Sequence, residues 1–132
     1  MTPEQKLKHL ILLRACVMSR LPAPEGITKE TIDALYDEMA EKDQVQDAEA
    51  EIRGSGVATD LPCKFDRNYE SQSVARQALD GSWVGWTYWT GGGKHGNPDE
   101  MPWMQYAYDL DCKEEEKLVI VRTFTTRNPA AA

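Results

Sequence analysis

Histidine and cysteine are scarce in this sequence, and their placement excludes more than it allows. The two histidines are His9 and His95, and the three cysteines are Cys16, Cys63 and Cys112. The cysteine count is odd and no CxxC pair or Cys/His cluster occurs, so neither a disulfide framework nor a zinc site is indicated. No signal-peptide pattern opens the chain, which points to the reducing cytoplasm. The apolar run HLILLRACVM is too short to span a bilayer and holds Arg14, so it reads as a core helix rather than a membrane anchor. No GxSxG, HExxH or Cys-His signature is present, and the residues imply no catalytic group, metal or cofactor. Bases are outnumbered as well. Fifteen Lys and Arg stand against 22 Asp and Glu, a net charge of −7 that disfavours direct binding to nucleic acid or anionic lipid and favours a basic protein partner.

The chain of 132 residues, 41% hydrophobic, is enough for one domain with its own core. Its first third reads helical. Thr2 followed by Pro3 is an N-cap with proline at the first helical position, and Leu7, Leu10, Ile11, Met18 and Leu21 recur at helical spacing. Arg14 falls on that stripe and is expected to snorkel or pair with a carboxylate. The prolines of LPAPEG end the helix. Thr28 then caps a second helix, whose apolar face is Ile32, Leu35, Tyr36 and Met39. Glu30, Asp33, Asp37 and Glu41 fall together on the opposite face.

Past Lys42 the register changes, because Val45, Ala48 and Ile52 point roughly opposite to the Ile32 stripe. This predicts a break with Asp43 as a new cap and Gln46 closing a capping box; the rival is one long helix. Val45, Ala48 and Ile52, left without an obvious core, are candidates for a homodimer face. From 28 to 53 there are nine acids against three bases, so this segment holds most of the net charge.

The GSG at 54–56 marks a switch to strands. Asp80-Gly81 is a two-residue hairpin signal. Residues 82–90 place Val84, Trp86 and Tyr88 on one face; Met104, Tyr106, Tyr108 and Leu110 alternate; KLVIVRTFTT at 117–126 is rich in strand formers, with KEEE as the turn before it. The predicted fold is α+β, with N-terminal helices packed on one face of a four- to five-stranded antiparallel meander sheet. One domain covers 1–127, helical over 1–53 and sheet over 57–127, and 128–132 forms a disordered tail.

Of eleven aromatic residues, seven lie between Trp83 and Tyr108. Trp86 and Tyr88 are expected to meet Tyr106 and Tyr108 across the sheet as core. Trp83 and Trp89 have the other parity, which would leave them exposed as contact residues. The loop GGGKHG offers glycine amides at Gly91, Gly92 and Gly93 beside Lys94 and His95, an arrangement that could bind an anion. It lacks the GxxxxGK[ST] spacing of a Walker loop and does not open a helix. Arg67, in KFDRNYE, either joins a surface ion-pair group with Asp66 and Glu70 or faces a ligand. CKEEEK reads as a solvated charge run.

The stretches KFDRNYES, DGSWVGWTYWTGGGKHG and PWMQYAYDLDCKEEEKLVIVRTF resemble a group of small phage and prophage accessory proteins, over about residues 64 to 126. That resemblance implies a phage product acting in the cytoplasm of a bacterial host, and it brings no activity or site residue with it. The expected function is binding and inhibition of a host protein with a basic surface, with a nucleic-acid-binding, CRISPR-type antiphage-defence component as the candidate. The carboxylate row would stand where phosphates otherwise lie. The alternative is a module that binds a nucleotide or signalling molecule through the GGGKHG loop.

Overall fold

The computed structural model describes residues 1–127; the tail at 128–132 lies outside the described residues. Helix α1 spans Pro3–Met18. It starts as its sequence dictates: the Thr2 hydroxyl accepts the Gln5 amide at 3.2 Å, and the Gln5 side chain accepts the Thr2 amide at 3.0 Å. Arg14 sits on the apolar stripe and donates to Glu51 at 2.8 Å, which satisfies the charge at the edge of the core. The helix stops at Ser19, and Arg20 turns left-handed at φ 56 before the prolines.

Helix α2, Ile32–Glu41, begins later than the Thr28 cap predicts. Residues 28 to 31 form a preceding turn in which the Thr31 hydroxyl accepts the Thr28 amide and donates to the Gly26 carbonyl, each at 2.8 Å. Ile32, Tyr36 and Met39 are buried, as the periodicity predicts. The predicted break is present, but Asp43 is its left-handed hinge, at φ 55, rather than a cap. Helix α3, Gln46–Arg53, starts after Val45. Val45, Ala48 and Ile52 are all buried in this chain's own core. The expected homodimer face at these three residues is therefore corrected: the break turns α3 so that they pack within the same chain.

Strands β1 (Val57–Ala58), β2 (Glu70–Gln77), β3 (Trp83–Thr90) and β4 (Tyr108–Leu110) form a four-stranded antiparallel sheet in sequence order. The fold is α+β, with the helices at the N-terminal side of the sequence. The β2–β3 hairpin is set by Asp80-Gly81, one residue longer than the two-residue form. Ala78 pairs with Ser82 at 2.7 Å, the Gly81 amide closes on the Ala78 carbonyl at 3.1 Å, and Gly81 takes φ 87. Val84 and Trp86 are buried under the helices, with Tyr88 packed against the same cluster.

Two sequence expectations fail at the C-terminal end. Trp86 meets Trp103, with ring centroids 5.5 Å apart, and neither Tyr106 nor Tyr108 takes that place. Tyr108 instead lies over Gly85 on the opposite face, and Tyr106 is exposed. Residues 117–126 form no strand; they are an arm whose Leu118, Val119, Ile120, Val121 and Phe124 are exposed. Among the described residues the arm makes no backbone hydrogen bond to the sheet, so its β-forming composition alone does not make it a strand.

A candidate acidic binding surface

Helix α2 carries three of the four predicted carboxylates, Asp33, Asp37 and Glu41, at a four-residue spacing on its solvent side; Glu30 lies in the turn before it. They are not equivalent. Asp33 accepts from Lys8 at 3.0 Å and from Gln5 at 3.1 Å, and these bonds hold its carboxyl below the usual carboxylate range. Lys8 also reaches Glu4 at 3.4 Å. Burial of the Lys8 ammonium pulls its pKa down, but Asp33 and Glu4 outweigh this and leave it raised. Glu30 lies 4.0 Å from Lys29. Among the described residues, Asp37 and Glu41 make no ion pair, so they keep their charge for a partner.

Tyr36, on the buried side of α2, links that helix to α3. Its hydroxyl donates to Glu49 at 3.3 Å. Burial, with Glu49, Asp37 and Glu4 close by, pushes that hydroxyl far above its ordinary pKa. Beyond Glu49 lies a cleft of about 440 Å³ lined by Gln46, Glu49, Ala50, Arg53, Asn97, Asp99 and Glu100. Its three carboxylates exceed its one base. That base is already engaged: Arg53 donates to Asp99 at 2.6 Å and to the Trp89 carbonyl at 3.3 Å, and its guanidinium lies 5.0 Å from the Tyr88 ring. The Arg53 carbonyl in turn accepts the Trp86 indole N–H at 3.2 Å. Arg53 thus fastens α3 to β3 and to the loop that carries Asp99. The sequence reading missed both residues. The signal was Arg53 standing as the one base between Lys42 and Lys64.

The predicted aromatic and glycine-loop sites are not brought into this cleft. Trp89 is 6% exposed, so the expected exposed pair is corrected; Tyr69, from the loop before β2, covers it edge-on at 6.5 Å. Trp83 is half-buried opposite Leu110. Gly91, Gly92 and Gly93 all have positive φ, from 66 to 89, giving the run one hand where an anion nest alternates hands. Lys94 and His95 project from a short 3₁₀ turn, Gly93–His95, and are exposed; Arg67 is exposed in the loop before β2.

No family model matches the chain, and no curated protein or solved structure matches it. No helix among the described residues is long and apolar enough to cross a membrane.

Proposed function

We propose that this chain is a binding protein for a basic surface on another protein, held by the solvent-side carboxylates of α2 together with those of the cleft beside Arg53. The observation that carries this reading is the placement of Asp37, Glu41, Glu49 and Glu100. Glu49 and Glu100 line the cleft, Asp37 and Glu41 lie on the solvent side of α2, and none of the four makes an ion pair among the described residues. A partner's Lys or Arg side chain entering the cleft would meet acceptors with no cation to displace, and the wider field would steer its approach. The same charge opposes a nucleotide phosphate at that cleft, since Glu49, Asp99 and Glu100 outnumber an arginine already bound to Asp99. The finer reading, a phage accessory protein that inhibits a component of host antiphage defence, takes its phage context from the sequence resemblance over residues 64 to 126 and its inhibitory role from the acidic surface.

Bacterial lysate passed over the immobilised chain tests the proposal. A basic protein should be retained by the wild type and released by raised salt. It should not be retained by a variant carrying Asp37→Lys, Glu41→Lys and Glu49→Lys. Identical retention by both forms would remove the acidic surface from the function.

A further inference from the structure

The arm after β4 carries a run of exposed apolar residues that the acidic surface leaves unused. Its residues at 118 to 121 and Phe124 are Leu, Val, Ile, Val and Phe, and they range from 77% to 106% exposed. Both faces of the arm are apolar: Leu118, Ile120 and Phe124 share one parity, and Val119 and Val121 the other. Ten residues of this composition in water, with unpaired backbone groups, template strand addition.

The same chain also offers the complementary edge. β4 pairs with β3 on one side and, among the described residues, with no strand on the other. An exposed aromatic stands just before that edge: Tyr106 is 71% exposed, with Lys64 over its ring at 5.7 Å. The linker between edge and arm, with Glu114, Glu115 and Glu116 exposed and Glu115 paired to Lys113 at 3.0 Å, does not fold the arm back onto β4. Donor and acceptor are thus held apart within one chain.

We infer that the arm of one copy adds as a fifth strand to the β4 edge of a second copy, and that the exchange is reciprocal. Each chain carries one arm and one receiving edge, so a two-fold pair satisfies both and leaves no free β4 edge to propagate. The partner is identified by that match: a free edge preceded by the exposed Tyr106 meets an unpaired strand-forming arm with apolar residues on both faces, and both come from this sequence. The acidic surface of α2 stays outside this interface, so the inference stands independently of the proposed partner.

Light scattering on the full-length chain after size exclusion tests it. The expected mass is twice the 14.9 kDa of one chain. Ile120→Asp combined with Phe124→Asp should lower the mass to that of one chain and weaken association about 100-fold or more, with circular dichroism in the helical region unchanged. Two differently tagged copies should co-purify for the wild type and not for the variant. A single-chain mass at all concentrations would overturn the inference. So would a doubled mass that survives both aspartates, or an arm that becomes covered only when a different protein is added.

Discussion

Arg53 shows how much a single side chain can organise here. Its fork holds Asp99 and the Trp89 carbonyl while its plane lies on Tyr88. Arg53→Ala should cost about 2 kcal/mol in urea unfolding. Arg53→Lys should recover little of that, because an ammonium cannot form the same fork. His9 supplies a pH signature. Burial lowers its pKa below the ordinary 6.5, so the unfolded chain takes up a proton that the folded chain resists. Its contribution is complete above pH 6.5 and is lost as pH falls toward the folded pKa. His9→Gln should flatten the stability curve in that window. Asp33, held below its usual 3.8 by Lys8 and Gln5, adds a separate loss at more acid pH, which the His9 variant should retain. Thermal melts across pH would separate the two, and an unchanged slope below pH 6.5 in the His9 variant would contradict this assignment.

At the scale of elements, what could be read from the sequence was what is fixed locally. The Thr2–Gln5 capping box, the Ile32–Tyr36–Met39 face, the break after Glu41 and the Asp80-Gly81 hairpin each depend on residues within a few positions of one another. Trp89 could not be placed by parity, because a loop from before β2 brings Tyr69 over the second face of the sheet. The site was half legible. The α2 row was visible as spacing, but the cleft beside Glu49 forms only where α3 meets the loop carrying Asp99, and the Arg53–Asp99 pair spans 46 positions. The strand predicted at 117–126 failed for a related reason: composition specifies a β-former but not which edge it meets. β4 itself is held by a close approach. A Cβ on Gly85 would come within 2.6 Å of the Tyr108 ring and 2.8 Å of Leu110. Gly85→Ala should therefore lift β4 from β3 at a cost of about 1–3 kcal/mol. Amides of Tyr108 to Leu110 should exchange faster while α1 stays protected; uniform loss across the chain would contradict a local effect.

For the whole molecule, the two proposed roles occupy different surfaces. The carboxylate surface belongs to α2, α3 and the loop carrying Asp99; the apolar arm leaves the far end of the sheet after Leu110. A chain with a net charge of −7 that pairs through its arms would present two acidic surfaces at once, which raises the effective concentration for a partner with repeated basic sites. Whether the arms are covered by a second copy decides this arrangement. Amide hydrogen exchange over residues 117–126, followed from dilute to concentrated protein, measures it directly. The account predicts rapid exchange at high dilution and strong protection as concentration rises, with α1 unchanged. Rapid exchange at every concentration, or protection that dilution does not remove, would contradict it.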